Sequence, residues 1–494
     1  MPDPNVRRGR AALWCVAAAA MLLAVCSKSS PLYPLNDWMD ANIFYTAGKA
    51  MMNGRVLYRD VFDHKGPLLY LVYGVGWLLD RNGFFGVWLA EIAAFAAFLY
   101  AGLRTAELFA GPLHPAWVLL PGAVAAAGRS FAHGGSAEEF CLPLLGWALY
   151  AVLRFLRAPA AQRHPLPLWQ AMLLGVGAGC VLWVKFTMLG LYLGLAVTLA
   201  VCYLRAGWGR RLGWSVAAWL GGMAVSTAPW LVYFGANGAM SDFFGVYFGD
   251  NLFLYAGAEA GASLPAAVFS VVQKLYWACR DTPLTALLAA SGLLWLWRRG
   301  HAGCALAAAA AGAGLAVTSF AFGAYHVYYA LPLAVFAPLG LVPAAGLARR
   351  LPARLTRARA LPAAALAAAL GFGMLTGPHT DQLLRPRQEL PQYRFADAIL
   401  EAGGTSLLNY GTLDGGFYTA SGLMPPCRFF CVTNLPLPEQ QQQQDALLQA
   451  GGVEYVVALD GELDARFPRY RLVDRADYDG GEGMRTWYLY RLED

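Results

Sequence analysis

Six ionisable side chains crowd one stretch of an otherwise apolar chain. Asp37, Asp40, Asp60, Asp63, His64 and Lys65 fall within about 30 residues, between an apolar run ending near Cys26 and a shorter one that follows Lys65. A carboxylate at such a place can take the proton of an attacking hydroxyl. A lysine beside the Gly66-Pro67 turn is placed to meet a phosphate. Asp40 is the preferred base, with a solvated loop aspartate or helix cap as the bland alternative. Asp37 lies three residues earlier and would share a helical face with it, as a second catalytic carboxylate or as half of a divalent-cation pair, Mg or Mn. Asp60, Asp63 and His64 are candidates for holding substrate. Arg59 with Asp60 or Asp63 is equally readable as an ion pair that shapes the loop. Lys65 is equally readable as a snorkelling boundary lysine.

More charges stand at the ends of later apolar segments. Glu138 and Glu139 lie in GGSAEEF. Two acids at the mouth of a span are costly unless used or paired, although a helix N-terminus also favours them. Glu138 is a further catalytic candidate and Glu139 a substrate contact; Arg129, just before them, could meet phosphate. Glu91 sits about two turns inside an apolar segment and Lys185 in the turn VKFT. Each is a functional candidate by its place, Lys185 toward phosphate and Glu91 toward substrate, and the two could instead pair with each other. His326 in AYHVYY either contacts sugar or phosphate or belongs to an aromatic interfacial belt. No Gly-rich phosphate loop and no Asp-x-Asp motif stands in a soluble segment. The nine cysteines form no CxxC pair, and the spacing of Cys427 and Cys431 alone does not decide whether they pair.

These groups need elements to position them. Of 494 residues, 58% are hydrophobic and only 14% charged, where a soluble protein carries about 25%. The chain reads as an α-helical polytopic membrane protein. Its modest net charge of +6 sits in short loops, which marks topology and not nucleic-acid binding. Arg7, Arg8 and Arg10 precede a first span over 11–26, taken as a membrane helix and not a signal peptide. The run after Lys65 is about 15 residues, short of the roughly 20 a span needs, and is placed in the outer interface. That choice puts Arg154, Arg157 and Arg163, then Arg205, Arg210 and Arg211, then Arg298 and Arg299, then Arg349, Arg350, Arg354, Arg357 and Arg359 in the cytoplasm. Spans follow at 84–104, 114–132, 140–157, 168–184, 187–204, 212–234, 282–297, 303–321, 329–348 and 361–377, about eleven in all, with the segment 234–281 on the outer surface. The N-terminus is then cytoplasmic and residues 378–494 extracytoplasmic. In that tail, a helix over 396–402, strands over 405–410, 453–459 and 484–492 and a helix over 440–450 predict a small α/β domain with a parallel pair. The Gln440–Gln444 run reads as low complexity.

The first loop resembles the GT-C superfamily of polyprenyl-phosphate-sugar-dependent glycosyltransferases: protein O-mannosyltransferases, the lipid A aminoarabinose transferase and the bacterial RgtA/B/C/D-like membrane proteins. The resemblance rests on Asp40, on Gly54 to Tyr58 and on KGPLLY from Lys65 to Tyr70, and is strongest over 36–110. It departs from the family where Asp-Glu is replaced by Asp-x-x-Asp and Lys-Pro-Pro by Lys-Gly-Pro. It implies a GT-C-like membrane domain over 1–377, with a catalytic first outer loop over 28–83. It implies transfer of a hexosyl or pentosyl group from a polyprenyl-phosphate donor to a glycan, lipid or protein of the cell envelope, at the outer face of the cytoplasmic membrane. Asp40, Asp37 or Glu138 would be the base, and Lys65, Arg129 and Lys185 would face the donor phosphate. Asp60, Asp63, His64, Glu139, Glu91 and His326 would hold substrate. The alternatives are a flippase for lipid-linked sugars, which should show repeated halves, and a membrane-anchored glycan-binding protein.

Overall fold

The computed structural model describes residues 4–254, 263–321, 323–350, 352, 360–461, 463, 465–480 and 483–493, so Arg354, Arg357 and Arg359 of the charge pattern lie outside the described residues. Helices run in the order α1 (Pro4–Cys26), α2 (Met39–Met52), α3 (Pro67–Leu79), α4 (Phe85–Ala110), α5 (Leu119–Ala126), α6 (Ala137–Arg157), α7 (Leu168–Lys185), α8 (Gly190–Arg205), α9 (Gly209–Ala236), α10 (Met240–Phe244), α11 (Leu264–Asp281), α12 (Pro283–Arg298), α13 (Ala302–Phe320), α14 (Leu341–Ala348) and α15 (Leu361–Thr376). The chain packs as two compact units. One holds residues 1–27, 91–229 and 258–380; the other holds 28–90, 230–257 and 381–494.

The first unit carries the membrane helices. Among the described residues, seven helical runs are long and apolar enough to cross a membrane. The sequence predicts about eleven spans, and each of those stretches does contain helix. The difference is length: α5 with its leading turn and α15 are short apolar helices, α12 has 16 residues, and Leu168–Arg205 is one continuous helical run. That run folds back on itself. The Tyr192 hydroxyl lies 2.7 Å from where a Cβ on Gly177 would be, which a straight helix at 1.5 Å per residue would not allow. The turn is the 3-10 stretch Phe186–Leu189.

Small residues let these helices touch backbone to backbone. A Cβ on Gly175 of α7 would lie 1.9 Å from the Trp219 carbonyl oxygen of α9, and one on Gly190 of α8 would lie 2.0 Å from the Gly314 oxygen of α13. Gly175→Val is therefore expected to force α7 off α9, at a cost of about 1–3 kcal/mol for overpacking. A lowered melting temperature of the detergent-purified protein checks this, with Gly213→Val, where no atom lies within 4 Å, as the neutral control.

The second unit gathers the first loop, the segment after α9 and the tail. Helices α2 and α3 meet through glycines: a Cβ on Gly48 would lie 2.5 Å from the Gly74 nitrogen. With 13 residues, α3 is too short to cross a bilayer, as its apolar run implied. The segment after α9, read from sequence as an outer loop, is helical in its described part: α10, a π-helical run Gly245–Leu254 and then α11.

The tail builds a four-stranded sheet in the order β1 (Leu407–Tyr410), β2 (Tyr455–Leu459), β4 (Met484–Leu492), β3 (Tyr470–Asp479). Strands β1 and β2 are parallel, with Leu408 beside Val456, as the β-helix-β order predicts. Strands β2 and β3 both pair antiparallel with β4. The helix between β1 and β2 is Pro438–Gln449. Its glutamines are specific after all. Gln440 accepts from Thr433 N at 2.7 Å, Gln443 accepts from Phe429 N at 3.0 Å, and Gln444 donates to the Phe429 carbonyl at 2.9 Å. They satisfy the backbone of a segment that has no ladder of its own. All nine cysteines, Cys427 and Cys431 included, are free thiols.

Candidate active site

The loop before α3 is built around a buried tyrosine. Tyr58 sits in the left-handed region at φ 68°. It holds that conformation because its nitrogen donates to the Val61 carbonyl at 2.8 Å and its hydroxyl to the Lys65 carbonyl at 2.7 Å. Gly66 and Pro67 then start α3, proline at a position where its missing N–H costs nothing. The result is a chain of three consecutive polar residues. Lys65 Nζ lies 2.9 Å from His64 Nε2, His64 Nδ1 lies 3.3 Å from Asp63 Oδ1, and Asp63 Oδ2 accepts from the Tyr70 hydroxyl at 2.7 Å.

Electrostatics fix the protons in this chain. Burial lowers the His64 pKa and Lys65 lowers it further, against the opposing pull of Asp63 and Asp40, so the ring is neutral at pH 7. Its Nε2 faces Lys65 Nζ and its Nδ1 faces Asp63 Oδ1. Burial pushes the Asp63 carboxyl up, but the His64 hydrogen bond and charge, the Lys65 charge and the Tyr70 hydroxyl outweigh it and hold it below the usual carboxylate range. Asp40 stands in the first turn of α2, near enough for its charge to act on His64. Asp40, Asp63, His64 and Lys65 are thus brought together.

The other two aspartates of the loop are engaged elsewhere. Asp37 forms an ion pair with Lys28, the two side chains being 4% and 2% exposed, and accepts from the Tyr478 hydroxyl. Lys28 also donates to Gln382 Oε1 at 2.5 Å. Asp60 is held by Arg59 at 2.8 and 3.0 Å and accepts from Val56 N, which is the loop-shaping arrangement. Among the described residues no group of three His, Cys, Asp or Glu side chains is placed to hold a metal ion.

A second buried pair, unmarked in the sequence, ties α2 to the tail. Lys49 donates to the carbonyls of Tyr418 and Leu423 at 2.8 and 2.6 Å. Asp414 accepts from Thr46 Oγ1 at 2.7 Å and Gly416 N at 2.9 Å. Burial pushes Asp414 up to about 6 from 3.8, against the lowering effects of Thr46, Gly416 and Lys49. Folding therefore favours the protonated acid. Stability is fully present below 3.8, is lost as the pH rises to about 6, and by this group is flat above it. The loss is on the order of 2–3 kcal/mol. Burial lowers Lys49 to about 8, which acts only at higher pH. Asp414→Asn is expected to remove the fall between those two pH values, read as the melting temperature of variant and wild type across the acid range.

The helical unit gathers the remaining candidates in two groups. Lys185 pairs with Glu138, not with Glu91, and lies 3.8 Å from the centre of the Tyr329 ring, against which His326 also packs at 5.3 Å. Arg129, 70% exposed, reaches Asp281 at 3.7 Å, and the Tyr325 hydroxyl donates to the same carboxylate at 3.2 Å. The deeper group is Glu91 and Glu139, both fully buried and close enough for the Glu91 charge to act on Glu139. Ser27 Oγ donates to Glu91 at 3.0 Å and Gly135 N to Glu139 at 2.9 Å. Ser136 caps α6 by accepting from Glu139 N at 3.1 Å. Sequence reasoning missed Asp281, Tyr325 and His379, which stacks on His133 at 4.1 Å; none carries a local motif.

Among solved structures, ArnT from Cupriavidus metallidurans bound to undecaprenyl phosphate matches with a TM-score of 0.62, covering 96% of this chain and 98% of that one at 16% identity. The same protein in the apo state gives 0.61, with 97% and 98% covered at 15% identity. No protein-family model and no curated protein sequence matches the chain. The chain has the GT-C fold over nearly its whole length.

Proposed function

We propose that this protein is a membrane glycosyltransferase that moves a sugar from a polyprenyl-phosphate donor to a cell-envelope acceptor at the outer face of the cytoplasmic membrane. In this reading the N-terminus is cytoplasmic and the α/β tail extracytoplasmic. The observation that carries it is the first loop, which folds the charge of Asp40 onto the Asp63–His64–Lys65 chain. Asp40 takes the proton of the acceptor hydroxyl. A bond forms from that oxygen to the anomeric carbon of the donor, and the bond from that carbon to the phosphate oxygen breaks. The lipid phosphate leaves with the electron pair, and the Lys65 ammonium, oriented by neutral His64, compensates its charge. The ArnT structure with bound undecaprenyl phosphate supports a lipid-phosphate donor. In the helical unit, Arg129 faces Asp281 and Lys185 faces Glu138.

The test is transfer of label from a panel of polyprenyl-phosphate sugars to envelope fractions by the purified protein in lipid. Label moved by the protein supports the reading; a broad panel with no reacting donor sinks it.

A further inference from the structure

We propose that a cavity lined by Phe62, Asp242, Asp250, Arg428, Phe429 and Glu439 binds an uncharged sugar residue of the acceptor; the proposal rests on the glycosyltransferase reading above. The space measures about 370 Å³. All of its walls belong to the second unit: the first loop, the π-helical segment and the tail.

Its charges do not close on one another. The Arg428 guanidinium lies over the rings of Phe62 and Phe429, at 5.5 and 5.1 Å from their centres. Its Nε is buried and has no hydrogen-bond partner among the described residues. A buried donor left unmade is costly, and Arg428 is one of the residues that line the cavity. Asp250 feels both Arg428 and Glu439. Yet among the described residues no side chain of Asp242, Asp250, Glu439 or Arg428 makes a hydrogen bond or ion pair. Opposite charges therefore face each other across a gap of molecular size.

The backbone on this side of the cavity is anchored: Phe62 N donates to the Arg428 carbonyl at 3.0 Å, and the Phe429 nitrogen donates to Gln443.

The chemistry selects the ligand. A hydroxyl donates to a carboxylate and accepts from a guanidinium at once, so neighbouring hydroxyls of one sugar ring bridge the two kinds of wall. Three carboxylates against one guanidinium repel phosphate and uronate. Among the described residues these acids do not stand close enough together to hold a metal ion. Phe62 immediately precedes Asp63 in the chain, which puts a sugar bound here one residue from the polar chain proposed to meet the donor.

The experiment is saturation-transfer NMR on the full-length protein in nanodiscs, with maltose, cellobiose and digalacturonate as probes. Transfer to the neutral disaccharides and not to digalacturonate is expected. Arg428→Gln and Asp250→Asn should each weaken it by about tenfold, the loss of one charged hydrogen bond. Glu439→Gln, at an exposed position, carries the test should either of the others fail to fold. Equal or better binding of digalacturonate, no binding of any probe, or variants that bind like wild type would overturn the proposal. Undecaprenyl phosphate binding is measured on the same nanodiscs. Its absence from wild type counts against the glycosyltransferase reading, while its presence without sugar binding removes only the subsite.

Discussion

Asp40→Asn is expected to lower sugar transfer by about 10²–10⁴-fold, the usual contribution of a positioned general base, with donor binding and melting temperature unchanged. The amide keeps the shape of the side chain and its place in the first turn of α2, but it cannot take a proton. Asp40 is partly exposed, whereas Asp37 is buried against Lys28 and Tyr478. A base must be reachable by the acceptor, and the Asp37 side chain is only 4% exposed. Single-turnover transfer with labelled donor separates the chemical step from binding. Full activity in the variant would remove Asp40 from the mechanism and return the search to Glu138.

Lys28→Ala should have the largest effect on stability. It leaves the Asp37 carboxylate buried without its cation, and breaking a buried pair from one side costs about 3–5 kcal/mol. It also strands the Gln382 oxygen that Lys28 satisfies. The double variant Lys28→Met/Asp37→Leu should recover most of the loss, because no unpaired charge is then left at that place. Denaturation of the detergent-purified variants, followed by fluorescence of Trp38 and Trp487, measures both. A double variant no more stable than Lys28→Ala would show that the pair is not the source of the effect.

The helices were legible because membrane helices are written in runs of apolar residues, and the loop chemistry because charge stands out against them. Asp40 and Lys65 were marked by type and spacing. The partners of Lys28 and Asp37 in the tail were not, since Gln382 and Tyr478 lie more than 300 residues away and no local pattern announces them. Glu91 and Lys185 were read as functional candidates, with pairing to each other as the alternative, because each looked isolated in an apolar segment. The structure gives each a carboxyl partner from the start of α6 instead. Strand β3 was missed because YRLVDRADYD is half charged and mostly exposed, and it resembles a solvated loop until β4 is beside it. The glutamine run looked uninformative because its meaning lies in the carbonyls and nitrogens it satisfies, which composition does not show.

The links from Lys28 to Gln382, Asp37 to Tyr478, Lys49 to the Tyr418 carbonyl and Phe62 to the Arg428 carbonyl set the rules for engineering this protein. A chimera that exchanges only the last hundred-odd residues with a relative would strand buried charges on both sides of the joint. The transplantable cassette is discontinuous: residues 28–90, 230–257 and 381–494 have to travel together, and a donor-specificity swap that respects sequence order alone would produce misfolded protein.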